Sequence, residues 1–129
     1  MEIICLDTSV LISHKRALKK AKSGTFLFHL AQQYQFAITV ISVFELLRGD
    51  NNDEDKFWMD FFSRVVILPF DFESSSIAAT IDRELIKRGN KIKVTDLIIS
   101  SIAMRNKLTI ATEDKRDFTR IKNLKLILP

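Results

Sequence analysis

Asp7, Glu45, Asp96 and Asp114 each stand beside a short apolar run, and Asp117 follows three residues after the last of them. If folding gathers such carboxylates, groups ~4 Å apart repel by about 4 kcal/mol per pair at an effective dielectric of roughly 20. Folding gains nothing from that repulsion, and a divalent cation resolves it. Mg²⁺ or Mn²⁺ prefers hard oxygen ligands and keeps several waters. Such an ion activates a water and neutralises both an attacked phosphate and its leaving oxygen, so the chemistry expected is metal-assisted phosphodiester hydrolysis. No general-base histidine stands out, because His14 and His29 lie on helical patterns without acids at metal-ligand spacing.

The elements that must position these acids alternate along the chain. Runs rich in β-branched and aliphatic residues at 2–6, 36–40, 65–68, 108–111 and 125–128 predict buried strands. Helical patterns fill 10–22, 25–34, 42–47, 55–64, 74–87 and 96–106. In the second of them Phe26, Leu30 and Tyr34 share a face, and Gly89 is placed to end the fifth. Alternation of this kind implies an α/β sandwich, a parallel sheet covered on both faces. Ligands of such sheets bind beyond the carboxyl ends of the strands, near the point where strand order reverses. Asp7 follows the first strand, Glu45 lies shortly after the second, and Asp114 follows the fourth. Asp96 opens a helix of about 11 residues, ~16 Å long, that runs back against the strand it feeds and so returns to the same edge.

Each acid also has a plainer reading. Ser42-Val43-Phe44-Glu45 fits a capping box, Asp96 after Thr95 suits the positive end of a helix, Asp7-Thr8-Ser9 reads as a turn and cap, and 113–117 as a charged loop. Taken singly, these readings suffice. Convergence of four acids is what they do not explain.

With 129 residues, 47% of them hydrophobic, and 3 Gly and 2 Pro spread thinly, one domain over 1–129 is expected. Cys5 sits in an apolar run and implies neither a disulfide nor a thiolate metal site. No cleavable signal or membrane-spanning run is visible, and a cytoplasmic location is the default. A net charge of +4 suggests a polyanionic partner, with basic residues gathered at Lys15, Arg16, Lys19, Lys20 and Lys22, at Lys87, Arg88, Lys91 and Lys93, and at Lys115, Arg116, Arg120 and Lys122. Any of these groups could equally be a solvated helix face. The Phe57-Trp58-Met59-Asp60-Phe61-Phe62 run is too apolar to be wholly exposed.

Four segments together resemble the PIN domain, in particular the VapC-like toxins of toxin–antitoxin pairs: Cys5-Leu6-Asp7-Thr8-Ser9-Val10-Leu11-Ile12, Ile41-Ser42-Val43-Phe44-Glu45-Leu46-Leu47-Arg48-Gly49, Val94-Thr95-Asp96-Leu97-Ile98-Ile99, and Ala111-Thr112-Glu113-Asp114-Lys115-Arg116-Asp117-Phe118. The resemblance covers nearly the whole chain. It implies a three-layer sandwich whose five-stranded parallel sheet has order 3-2-1-4-5. It further implies an Mg²⁺- or Mn²⁺-dependent endoribonuclease, an RNA substrate, a cognate antitoxin and a homodimer. By the same resemblance Asp7 and Asp96 are metal ligands, Glu45 and Asp114 bind metal or orient water, and Ser9 and Thr112 are their hydroxyl partners. Asp114 and Asp117 compete for the place of the fourth acid. Arg48, Lys15, Arg16, Lys19, Lys115 and Arg116 are candidates for contact with nucleic acid.

Two signalling or phosphatase alternatives fit less well. A receiver domain would carry an acidic pair after its first strand and an acid directly after its third, whereas here Asp7 stands alone and Leu68-Pro69-Phe70 precedes Asp71. A haloacid-dehalogenase phosphatase would need a second acid where Asp7-Thr8-Ser9 has none. A non-catalytic, RNA-processing or DNA-directed PIN domain shares every motif named above.

Overall fold

The run Glu2–Leu6 has no polar alternation beyond its first residue, and it forms the central strand β1 of a sheet buried on both faces. The computed structural model describes residues 1–49 and 52–129, with side chains described outside 50–55. Strands β2 (Tyr34–Thr39), β3 (Val66–Leu68), β4 (Ile110–Ala111) and β5 (Leu126–Ile127) complete a five-stranded sheet of order β3-β2-β1-β4-β5. Every pairing is parallel. The order is the one implied by the resemblance, and it puts the reversal point between β1 and β4.

Helices α1 (Thr8–Lys19), α2 (Phe26–Ala31), α3 (Val40–Arg48), α4 (Asn52–Phe62), α5 (Phe72–Lys87), α6 (Val94–Arg105) and the short α7 (Lys115–Phe118) form the outer layers. Side chains alternate across β1 as the pleat requires. Ile4 and Leu6 pack with Val10, Leu11, Leu27, Leu30, Trp58 and Phe62 on one face, while Cys5 packs with Ile99, Ala103, Ile110 and Phe118 on the other. Complete burial, and then the negative charge of Asp7, push the Cys5 thiol up to about 12, so this cysteine is an inert hydrophobe.

Several boundaries differ from the sequence reading, each for a local reason. The second helix stops at Ala31, and Tyr34 opens β2 instead of continuing the Phe26–Leu30 face. Thr39 ends that strand by capping α3, its hydroxyl accepting the Ser42 N–H at 3.2 Å. The proposed Ser42-to-Glu45 capping box is therefore absent: Ser42 is buried as the third residue of the helix and Glu45 lies in its second turn. Asp71 caps α5 at 2.8 Å from the Ser74 N–H, starting that helix two residues before the apolar pattern does. Residues 115–117, read as part of a charged loop, form α7 together with Phe118. In the 57–62 run Trp58 and Phe62 are buried, Phe57 and Phe61 are half-buried, and Met59 is exposed.

Gly89 closes α5 as expected, with φ of 69°, its N–H bonded to Ile86 and that of Asn90 to Leu85. The same closure follows α6, but there the left-handed residue is Lys107, with φ of 57°. A side chain costs about 1–2 kcal/mol in that conformation. Lys107→Gly is therefore expected to stabilise the fold by about 0.5–1 kcal/mol after the extra chain entropy of glycine is subtracted. A rise in the denaturant midpoint at unchanged slope would show it; an unchanged or lower midpoint would mean that Lys107 sits there without strain.

Candidate active site

Asp7 leaves β1 on the edge where the strands end, its N–H bonded to the Ala111 carbonyl of β4 at 2.9 Å. Two hydroxyls from opposite ends of the chain donate to the same carboxylate oxygen: Ser9 Oγ to Oδ2 at 2.7 Å and Thr112 Oγ1 to Oδ2 at 2.8 Å. Both hydroxyls also accept from the following loop, Ser9 from the Glu113 N–H at 3.1 Å and Thr112 from the Asp114 N–H at 2.9 Å. For each hydroxyl the Asp7 carboxylate is the nearest acceptor, ahead of the Asp114 carbonyl at 3.2 Å from Thr112 Oγ1. Burial raises the Asp7 carboxyl above the ordinary carboxylate value, and the two hydroxyls offset only part of that rise.

Asp96 reaches this edge because α6 runs back along the sheet to it. It lies in the first turn, yet neither it nor Lys93, the residue at the cap position, bonds the helix's free N–H groups through a side chain. Its carboxyl meets that of Asp117 instead. Burial, the Asp117 contact and the negative charge of Asp7 together hold Asp96 well above the ordinary value, against a smaller pull from Lys93. Burial also opposes charge on Asp117, but the hydrogen bond from Asp96, the Lys93 N–H at 3.2 Å from Oδ2, and the charges of Lys93 and Arg120 keep it below its ordinary value. The opposite directions of the two shifts make Asp96 the carboxyl of this pair that favours the neutral form. Asp7, Asp96 and Asp117 are 4%, 9% and 7% exposed, too deep for three like charges to be tolerated without a reason.

Glu45 stands to the other side of Asp7. Its Oε1 accepts the Thr8 hydroxyl at 2.8 Å, and Thr8 is also 2.9 Å from Ser42 Oγ. Thr8 thus ties α1 to α3 beside Asp7, a role that nothing in the sequence marks beyond its place next to the acid. Asp114 is exposed and caps α7, accepting the Arg116 N–H at 3.4 Å, while Asp117, one turn later, is the acid turned inward. Among the described residues no three acidic, histidine or cysteine side chains stand close enough to clasp an ion as placed. The carboxylates brought into mutual influence are Asp7, Asp96 and Asp117.

Basic residues lie on both flanks. Lys15, Arg16 and Lys19 line a cleft of about 270 Å³ together with Glu45 and Trp58, and the Lys15 ammonium rests 4.3 Å from the Phe57 ring centre. Lys91, Lys93, Arg116 and Arg120 line a second cleft, of about 280 Å³, with Asp114 and Asp117. Lys115 is exposed on α7. Arg48 is exposed and lies over the Phe44 ring at 5.1 Å rather than lining either cleft. Lys91, Lys93 and Arg120 belong to the basic groups noted in the sequence but are not among the candidates for contact with nucleic acid; the cleft brings them together with Arg116.

No described helix is long and apolar enough to cross a membrane. The sequence model of the PIN domain matches residues 4–124. Ribonuclease VapC3 of Methanocaldococcus jannaschii is 36% identical over 97 residues, covering 75% of this chain and 94% of its own. Ribonuclease VapC1 of Rickettsia felis is 30% identical, covering 96% and 94%. Among solved structures, VapBC2 of Rickettsia felis, bound to a DNA fragment of its promoter, superposes with a TM-score of 0.81 at 28% identity, covering 98% of each chain. DNA-bound VapBC of Salmonella typhimurium shares the fold with a TM-score of 0.80 at 22% identity, covering 99% and 98%. With this match over nearly its full length, and with the acids at the sheet edge where the order reverses, the chain belongs to the PIN-domain family.

Proposed function

We propose that the chain is an Mg²⁺- or Mn²⁺-dependent endoribonuclease, the toxin of a type II toxin–antitoxin pair acting in the cytoplasm. The observation that carries this reading is the burial of Asp7, Asp96 and Asp117, from three separate elements, at one sheet edge. Two relatives named ribonucleases support the reaction class. Neighbours named VapBC support an antitoxin partner.

The donor set suits a hard divalent cation, since every candidate ligand is a carboxylate oxygen. Asp7, Asp96 and Asp117 would hold it, with Glu45 across the edge. When bound, it supplies an activated water and neutralises charge on the attacked phosphate. The chain does the rest. Ser9 and Thr112 hold Asp7 Oδ2 in place, Asp96, whose carboxyl lies above its ordinary value, would have to be ionised to act as a ligand, and the clefts on either flank take the RNA backbone. A homodimer, implied by the family resemblance, is part of the same proposal.

Induced expression in a bacterium should arrest growth, and Asp7→Ala, Glu45→Ala or Asp96→Ala should relieve the arrest while soluble yield persists. Co-expression of the cognate antitoxin should relieve it for the unaltered chain. Equal toxicity from the Asp7→Ala chain would rule out the proposed chemistry.

A further inference from the structure

We propose that the cleft lined by Lys91, Lys93, Arg116 and Arg120 is a second phosphate subsite, which holds the RNA backbone phosphate adjoining the one at the carboxylates. It deepens the reading of the acid edge as an RNA-hydrolysing centre and rests on that reading.

The topology places this cleft. Strand β1 carries Asp7, and its two neighbours in the sheet, β2 and β4, lie on opposite sides of it. Beyond β2 comes α3 with Glu45, which borders the cleft of Lys15, Arg16 and Lys19. Beyond β4 comes α7 with Asp117, which borders the cleft of Lys91, Lys93, Arg116 and Arg120. A strand of nucleic acid with one phosphate at Asp7 and Asp96 therefore has a basic cleft on each side.

The second cleft is a built site. The Arg120 guanidinium donates to the Lys91 carbonyl at 3.4 Å, the Arg88 guanidinium to the Arg120 carbonyl at 2.9 Å, and the Lys93 N–H to Asp117 at 3.2 Å. The segment before α6 is thus fastened to α7, with four cations facing one space. Two carboxylates answer them, and one of these, Asp117, is engaged with Asp96. Ile92 is the one apolar residue lining the space and the other six carry charge, four of them positive, which suits a compact anion. Because Asp117 lines this cleft and also meets Asp96, an anion held here lies directly beside the reacting centre. A phosphodiester continuous with the substrate fits that position. An acidic protein segment would bring further carboxylates towards Asp7 and Asp96.

Lys91 and Arg116 are exposed, so Lys91→Gln with Arg116→Gln tests the cleft without opening the core. The probe is a fluorescein-labelled oligouridylate of about 16 nucleotides, within the footprint range of single-strand binders, read by anisotropy across a salt series. The double variant should bind about tenfold more weakly, with a salt slope flatter by about 0.7 for each phosphate it no longer neutralises. Lys91→Arg with Arg116→Lys should bind like the unaltered chain, which separates lost charge from lost folding. In the unaltered chain, a neutral methylphosphonate linkage beside the cleavage point should weaken binding, and in the double variant that same linkage should cost nothing more. Unchanged affinity and slope, or losses that add at every linkage, would overturn the subsite. So would weakened binding of a polyglutamate peptide with RNA binding intact, which would make the cleft a protein-docking site. An unaltered chain that binds RNA in this pattern but never cleaves it would defeat the hydrolytic reading and leave the subsite standing.

Discussion

Asp117→Asn is expected to lower single-turnover RNA cleavage by about a hundred- to a thousandfold, the scale of losing one electrostatic contributor at a reacting phosphate, whereas Asp114→Asn should stay within about fivefold of the unaltered rate, since asparagine caps a helix as well as aspartate does. The contrast follows from one turn of helix. Asp114 is exposed and spends its carboxylate on the Arg116 N–H, while Asp117 is buried and meets Asp96. Neither substitution changes side-chain size appreciably, so both variants should fold; with Mg²⁺ Asp114→Asn should melt close to the unaltered protein, while Asp117→Asn, short of one proposed ligand, should take only part of the metal-induced rise. Cleavage rates and melts of the two variants side by side decide the matter. An inactive Asp114→Asn beside an active Asp117→Asn would make Asp114 the fourth acid and the Asp96–Asp117 contact a structural pairing.

That distinction also marks where the sequence stops being informative. The alternation of strands and helices is legible because both faces of the sheet are covered, which makes each strand a short continuous apolar run bounded by polar residues. Asp7 is legible for the same reason: it is the first acid after such a run. The choice between Asp114 and Asp117 depends on whether 115–118 coils, and four charged and aromatic residues carry no periodic signal. The cap of α3 misleads in a different way. Thr39-Val40 reads as the end of a strand by its β-branched residues, yet the Thr39 hydroxyl takes the Ser42 N–H and starts the helix there. Shifting that start by a few residues moves Glu45 from the cap region into the second turn, where Thr8 can reach it. Tyr34 misleads because its spacing to Leu30 is helical, while its partner in the structure is Glu2 across the sheet. Local pattern cannot see a partner 32 residues away.

In chelator, Asp96→Asn should melt higher than the unaltered chain at neutral pH, and the gap should close as the pH is lowered. The folded Asp96 carboxyl titrates well above its unfolded value because of burial, the Asp117 contact and the charge of Asp7. Between the unfolded value, about 3.9, and the raised folded one, the folded chain holds a proton that the unfolded chain has released. Stability of the unaltered protein therefore falls as pH rises through that window, by at most about 1.4 kcal/mol per pH unit for one proton. Below the window both states are protonated and the contribution vanishes. Asparagine does not titrate, and its amide can still donate to Asp117, so the variant keeps the contact and loses the slope. Asp117, whose value is lowered, acts in the opposite sense, adding stability above its unfolded value and losing it under more acid conditions. Added Mg²⁺ or Mn²⁺ should reverse the ranking. Binding only to the folded state at a hundred times the dissociation constant raises stability by about 2.7 kcal/mol, and the variant should gain only a small part of that. Competition between proton and cation for Asp96 also requires the unaltered chain's metal-induced shift to shrink on acidification. If Asp96→Asn melts lower in chelator and still takes the full shift with Mg²⁺, then Asp96 serves the positive end of α6 and the cation, if one binds, is held without it.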